Sequence, residues 1–346
     1  LCLVTNDGGA TWAHHSLNST SNRVVKGHFI NAQEGFVAGR GSGGNSGMFM
    51  KTTDGGYTWG GVSLFNERAF NVYFLNAMTG WVMGKNGLLQ KTTDGGLSWT
   101  PQTVTNEDAL CMRFFDASTG LLGCGGGELY LTSDGGSTWS SVNSGTGDNL
   151  TAISMVGTDA WICGEGGAIL HSSNSGQSWN VQSTTVPVDF ADVSFSDVNN
   201  GWLGGISGVV SNSTDGGNTW SAQSGITNHD VLAIEMRNPA LGWLMDSNAD
   251  LYKFSSPAGV AGMNAAEAWK IYPNPARGAV SIHLAESRLY QIILRDEMGR
   301  EVLSQRVDGA GQTGEITLSL NDVPAGCYFI QLETSEGRSG KAVMVE

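Results

Sequence analysis

The chain of 346 residues is poor in charge: Asp, Glu, Lys and Arg make up 14% of it, against the roughly 25% usual in globular domains. It is poorest in base, with 18 Lys and Arg against 32 Asp and Glu. The resulting net charge of −14 argues against nucleic acid or anionic membrane as partner, because either would repel it. Cysteine is scarce, with five scattered residues at 2, 111, 124, 163 and 327, too few for a disulfide scaffold. No Cys-x-x-Cys pair or His/Cys spacing suits zinc, so neither metal nor cofactor is expected. No apolar run approaches the ~18 residues of a membrane-spanning helix. Glycine is abundant at 50, but Gly and Pro together reach only about 16%, short of the ~25–30% of low-complexity chains. With 40% hydrophobic residues there is material for a large core or two smaller ones.

Internal repetition dominates what is present. The run Thr52-Thr53-Asp54-Gly55-Gly56-Tyr57-Thr58-Trp59 recurs around Asp7, Asp94, Asp134 and Asp215, with a worn copy around Asn174. The Trp residues at 12, 59, 99, 139, 179 and 220 are spaced by 47, 40, 40, 40 and 41. A period near 40 made of strand-like segments is the signature of propeller blades. In the third unit the four strands A to D are expected at residues 69–75, 80–84, 88–92 and 97–102. On strand A, Phe70, Val72 and Phe74 would face one side and Asn71 and Tyr73 the other. The Asp carboxylate is suited to accept N–H bonds from the turn after it. The second Gly of the run (Gly9, Gly56, Gly96, Gly136, Gly176, Gly217) would supply φ > 0.

A second recurring element opens strand B: Gly80-Trp81-Val82-Met83-Gly84, Gly201-Trp202-Leu203-Gly204 and Gly242-Trp243-Leu244-Met245, with Phe36 and Trp161 in the same place. Ten of the eleven Trp fall in these two structural positions, which leaves no obvious sugar-stacking platform. The first motif resembles the Asp-box, or BNR repeat. With the strand B pattern it resembles the propeller of the photosystem II stability/assembly factor family, which implies architecture far more than function. Residues 1–16 would supply strands C and D of a first blade. Five full units follow to about residue 224, and residues 231–255 give strands A to C of a last. Seven blades are expected, with strands A and B of the first encoded upstream of Leu1; a six-bladed ring closed by the N-terminal strands is the alternative. The propeller would occupy residues 1–255.

Residues 256–268 read as a linker. Beyond them the composition changes, and alternating runs at 279–284, 289–294, 316–320, 327–332 and 341–345 predict a small all-β, immunoglobulin-like sandwich over 269–346. Here Ile271-Tyr272-Pro273-Asn274-Pro275 is followed by Asp296-Glu297-Met298-Gly299 and Pro324-Ala325-Gly326-Cys327-Tyr328-Phe329. These ordered motifs resemble the C-terminal sorting domain of type IX secretion cargo in Bacteroidetes. The resemblance implies the secretion machinery as partner, an extracellular or outer-membrane-surface location, and removal of the domain after export. The last residue, Glu346, is acidic where that family more often ends in a base. An ordinary immunoglobulin-like binding module is the alternative.

Aligning the blades places one residue each just before strand A: Arg23, Arg68, Asp108, Asp148, Asp189 and Asp230. Strand A is innermost in a propeller, so these would ring the mouth of the channel as a polarised rim. The structural alternative is that such Asp residues cap the D–A turn. Deeper on strand A the polar-facing positions are Lys26, His28, Asn71, Tyr73, Cys111, Arg113, Asp192 and Glu235. Charged groups there either line a wet channel or pair across it. Lys26, Arg113, Asp192 and Glu235 are the expected ligand contacts. Asp-boxes also resemble those of sialidases and xyloglucanases, which raises a glycoside hydrolase. Arg23, Arg68 and Arg113 with Tyr73 and Glu235 would have to form its site, or a carboxylate pair from the rim. The sialidase Phe/Tyr-Arg-Ile/Leu-Pro motif is absent. The reading is a non-enzymatic exported binding or scaffold protein taking protein or glycan at its top face. A self-associating structural subunit is a third reading. Gly39 to Gly44 matches a dinucleotide fingerprint by letter only, since no helix follows. Cys111 and Cys124 fall near each other across the strand A–B hairpin, as a disulfide or as two free thiols.

Overall fold

The computed structural model describes residues 2–5, 12–15, 17, 23–41, 46–182, 187–239, 241–254, 269–284, 290–295, 301–307, 314–324, 326–334 and 337–345. The first Asp-box around Asp7, the linker 256–268, the end of the Gly39–Gly44 run and Gly299 lie outside these residues. The chain divides into two compact units, Leu1–Gly259 and Val260–Glu346.

The first unit is a series of antiparallel sheets, each formed by strands consecutive in sequence. Sheet one holds β1 (Cys2–Val4) and β2 (Ala13–His15). Sheet two holds β3 (Arg23–Phe29), β4 (Gly35–Arg40), β5 (Gly47–Thr52) and β6 (Gly60–Phe65). Sheet three holds β7 (Ala69–Phe74), β8 (Gly80–Gly84), β9 (Leu89–Thr92) and β10 (Thr100–Pro101). Sheet four holds β11 (Ala109–Phe114), β12 (Gly120–Cys124), β13 (Leu129–Thr132) and β14 (Ser140–Val142). Sheet five holds β15 (Leu150–Val156), β16 (Asp159–Gly164), β17 (Ile169–Ser172) and β18 (Asn180–Gln182). Sheet six holds β19 (Phe190–Phe195), β20 (Gly201–Gly205), β21 (Val210–Ser213) and β22 (Ser221–Gln223), and sheet seven β23 (Val231–Asn238), β24 (Leu241–Asp246) and β25 (Leu251–Phe254). The strands expected in the third unit are found, but the fourth starts only after Trp99, because the Asp-box turn occupies the residues before it.

From sheet two onward the first strands pack on one another in succession, and each intervening gap is filled from both sides. Between sheets two and three the core is Phe36, Ala38, Phe49, Val72, Phe74 and Val82; between three and four it is Tyr73, Trp81, Met83, Met112 and Leu122. The strand A alternation therefore holds for Val72 and Phe74 against Tyr73. A bulge between Ala69 and Asn71 takes Phe70 out of it. A strand-B aromatic stacks on an aromatic ending strand A of the next sheet: Phe36 on Phe74 at 3.5 Å, Trp81 on Phe114 at 4.9 Å, Trp161 on Phe195 at 3.7 Å. Where a Gly precedes the strand-B aromatic, close approach requires it; in sheet five the place is held by Ala160. A Cβ on Gly80 would sit 2.5 Å from the Phe74 ring, and one on Gly201 2.4 Å from Phe195.

The Asp-box turn is built as its sequence implies. Asp94 Oδ1 accepts the Ser98 N–H at 2.9 Å and the Thr92 hydroxyl at 2.7 Å, and the Gly96 N–H donates to Thr92 Oγ1 at 2.9 Å. Equivalent bonds hold Asp54, Asp134, Asn174 and Asp215. Gly96 has φ +90°, the conformation that demands glycine there. The hydrogen bonds to the turn hold the Asp54 and Asp94 carboxyls down at about 2.

The second unit contains β26 (Trp269–Arg277), β27 (Ala279–Leu284), β28 (Tyr290–Arg295), β29 (Glu301–Val307), β30 (Gly314–Ser319), β31 (Gly326–Thr334) and β32 (Gly337–Val345). Strands β26 and β29 are additional to the five expected. Tyr272, Pro273, Asn274 and Pro275 lie within β26, across a register shift that accommodates the two prolines. The halves β29-β28-β31-β32 and β26-β27-β30 are joined by a single parallel bridge, Ala276 to Val345. One core of Val280, Ile282, Ile292, Leu294, Leu318, Ile330 and Val343 draws on both halves.

Candidate functional site

Rim and channel behave differently. Asp108 Oδ1 accepts the N–H of Asn86 at 2.9 Å, Asp189 Oδ1 that of Gly166 at 2.9 Å, and Asp230 Oδ1 that of Ser207 at 2.7 Å. Each of these N–H groups belongs to the 3-10 turn joining strands B and C of the preceding sheet. The rim carboxylates thus clamp neighbouring sheets together, rather than capping the D–A turn before them. In sheet five the clamp is Asn149, whose Oδ1 accepts the Gly126 N–H at 2.9 Å. Asp148 lies one residue earlier and accepts the Thr146 hydroxyl at 2.8 Å, which corrects its placement in the series. Two adjacent polar residues precede strand A here, and only hydrogen bonding shows which one reaches the neighbouring turn. Arg23 begins β3, where it pairs in register with Arg40, and Arg68 immediately precedes β7.

The inner strands enclose a cavity of about 440 Å³ whose lining includes Lys26, Arg113, Asp192 and Glu235 and none of the rim residues. All four expected channel contacts are therefore brought together. Register fixes two layers along the inner strands. Lys26, Asn71, Cys111, Ala152, Asp192 and Ala233 form one; His28, Tyr73, Arg113, Ser154, Ser194 and Glu235 form the other, two residues on.

Most polar groups of these layers stitch one inner strand to the next. Asn71 Nδ2 donates to Leu110 O at 2.9 Å and Cys111 Sγ to Leu150 O at 3.2 Å, while the Ile234 N–H donates to Asp192 Oδ2 at 3.2 Å. In the second layer the N–H groups of Phe74, Phe195 and Met236 donate to His28 Nδ1, Ser154 Oγ and Ser194 Oγ, each at 2.9 Å. Sequence reasoning placed no role on Ser154 or Ser194; the signal was a polar residue in the middle of an innermost strand. Lys26 Nζ lies 3.5 Å from Asp192 Oδ2 and joins sheet two to sheet six. Arg113 lies over the Tyr73 ring, 5.6 Å from its centre. The protein around Glu235 raises its carboxyl above the usual range, against the pull of Arg113 and with the help of Asp192.

Cys111 and Cys124 are free thiols. The bulge between Ala109 and Cys111 sets Cys111 opposite Gly123 and Ala109 opposite Cys124, so the two sulfurs are out of register for a bridge. Burial pushes the Cys124 thiol up to about 12 and raises Cys111 further. His229, Asp246 and Asp250 gather at the β24–β25 turn. There the Asp246 carboxylate is already met by the Thr227 hydroxyl at 2.7 Å and by the N–H groups of Asn248 and Asp250, both at 3.0 Å.

Residues 102–187 match the family model of the photosynthesis system II assembly factor YCF48, and residues 270–346 that of the secretion system C-terminal sorting domain. The chain thus resembles the photosystem II assembly factors and ends in a sorting domain for type IX secretion. That domain assigns the protein to export, to the extracellular space or the cell surface. Among the described residues, no helix is long and apolar enough to cross a membrane.

Among solved structures, YCF48 from Cyanidioschyzon merolae is similar at 19% identity, with 75% of this chain and 89% of that one covered and a TM-score of 0.57. A GH74 enzyme from Niastella koreensis is similar at 16% identity, covering 93% of this chain and 66% of that one, TM-score 0.55. The computationally designed Ika8 protein is similar at 11% identity, covering 95% and 98%, TM-score 0.53. At these identities the likenesses show the propeller fold alone. No curated protein matches the sequence.

Proposed function

We propose that this exported protein is a non-enzymatic binding or scaffold propeller that takes a protein or glycan through its channel and rim. The observation that carries this reading is the gathering of Lys26, Arg113, Asp192 and Glu235 around one cavity of about 440 Å³, a volume in the range of ligand sites. The rim residues Arg23, Arg68, Asp108, Asp148, Asp189 and Asp230 add polar contacts at the strand-A starts. In support of binding over hydrolysis, Asp108, Asp189 and Asp230 each commit an oxygen to a neighbouring turn. The propeller takes residues 1–255 and reads best as seven-bladed, with sheets one and seven as its partial blades. A linker over 256–268 then leads to an immunoglobulin-like sandwich over 269–346, whose Tyr272-Pro273-Asn274-Pro275, Gly299 and Gly326 motifs engage the type IX secretion machinery.

The test is a glycan, glycoside-substrate and cell-surface-protein screen on the full chain, with Arg113→Gln, Glu235→Gln, Asp148→Asn and Asp189→Asn alongside. Binding without turnover, weakened in graded fashion by the channel variants, is expected. Turnover abolished by Asp148→Asn or Asp189→Asn would make the protein a glycoside hydrolase instead. Concentration-dependent oligomers indifferent to all four changes would make it a structural subunit.

A further inference from the structure

We propose that the channel cavity binds a small zwitterion of the α-amino-acid type, its carboxylate on Arg113 and its ammonium on Glu235. This rests on the reading of the channel as the binding site and adds the chemistry of what enters it.

Most polar groups of the inner strands already have partners. Asn71, Cys111, Ser154, Ser194 and His28 each hydrogen-bond a neighbouring inner strand. Lys26 and Asp192 answer each other at 3.5 Å. Two charges of opposite sign are left in the second layer, Arg113 on β11 and Glu235 on β23. Neither has an ion pair among the described residues. Arg113 rests one face on the Tyr73 ring and makes only a long bond, 3.4 Å, to its neighbour Met112 O. Its N–H edge is thereby free for the fork geometry that a carboxylate matches. Glu235 is an acceptor facing the open cavity with no donor or close ion pair of its own; it lies near Asp192, and Arg113, Arg237 and Lys26 draw on it only from beyond ion-pair distance.

A simple anion would answer Arg113 and crowd Glu235, and a simple cation would do the reverse. A zwitterion answers both and adds nothing to a net charge of −14. The lining reaches Phe195 and Met236 at the far ends of the inner strands and stops short of Asp189 and Asp230.

Calorimetry on the full chain at neutral pH, with L-leucine, L-leucinamide and N-acetyl-L-leucine as probes, tests this. L-Leucine should bind, and each analogue, lacking one charge, should bind at least about tenfold more weakly. Arg113→Gln should bring leucine down to the level of leucinamide, and Glu235→Gln to that of N-acetyl-leucine, both variants melting as the parent does. Equal binding of all three probes, no heat with leucine at millimolar concentration, or an unchanged preference in folded variants would overturn the proposal. If leucine fails while a glycan or protein still binds in an Arg113-dependent way, the zwitterion falls and the broader binding reading stands. If neither binds, both fall.

Discussion

His28 shows how far one residue's neighbours set its chemistry. Its Nδ1 accepts the Phe74 N–H at 2.9 Å and its ring stacks on Tyr73 at 4.8 Å. Burial, with the nearby Arg113 charge, lowers its pKa to about 4. The unfolded chain would titrate this group near its ordinary value of about 6.5. Its contribution is therefore fully present above pH 6.5 and is lost as the pH falls toward 4, where the folded state resists the proton that the unfolded state accepts. His28→Gln, which keeps an acceptor in place, should flatten the loss of stability between pH 6.5 and 4 by about 2 kcal/mol. Denaturant melts across that range check it, and a parallel decline in parent and variant would refute it. Nothing in the sequence around His28 distinguished it from a ligand contact, since its partner Phe74 lies 46 residues away.

At the scale of the element, one strand position reads differently in different sheets. The residue two after the strand-B aromatic is Ala38, Met83 and Cys163 in sheets two, three and five, all fully buried, whereas Met245 in sheet seven is 40% exposed. Leu232 on the adjoining β23 is exposed as well. In the interior sheets the next sheet covers this face; Gly-Trp-Val-Met in sheet three and Gly-Trp-Leu-Met in sheet seven read alike, although only the first is covered. Met83→Lys should cost about 3 kcal/mol or more by burying a charge. Met245→Lys should change stability by no more than about 1 kcal/mol. Chemical denaturation of the two variants decides it, and equal losses would mean that the Met245 face is covered in solution. The turns were legible at this scale because an Asp-box closes its hydrogen bonds within five residues.

For the propeller unit as a whole, the Lys26–Asp192 pair joins sheets two and six, 166 residues apart in sequence. Lys26 is 33% exposed and Asp192 16%, so the Coulombic part is screened and modest. Asp192 carries more than the pair, because it also accepts the N–H groups of Ile234 and Val193. Lys26→Met should cost about 1 kcal/mol or less, and Asp192→Ala about 2 kcal/mol, since it strands both an ammonium and backbone donors. Thermal melts at low and high salt separate the two; a Lys26→Met loss as large as that of Asp192→Ala would show that the pair itself dominates.

What the sequence determined by itself is what short-range chemistry enforces: the repeat period, the Asp-box turns, the strand-B Gly-aromatic pairs and the sorting motifs at Tyr272–Pro275. The turns and the Gly-aromatic pairs are satisfied within a few residues or by a like neighbour, so there the pattern of letters is also the pattern of contacts. Only the tertiary structure decided that Asn149 rather than Asp148 clamps sheet four to sheet five, and that a bulge parts Cys111 from Cys124. It alone separated the stitching residues of the inner strands from Arg113 and Glu235. Those distinctions depend on a local bulge and on which polar atom finds a partner 23 to 46 residues away, and an innermost strand looks the same in sequence whether its polar residue is satisfied or free.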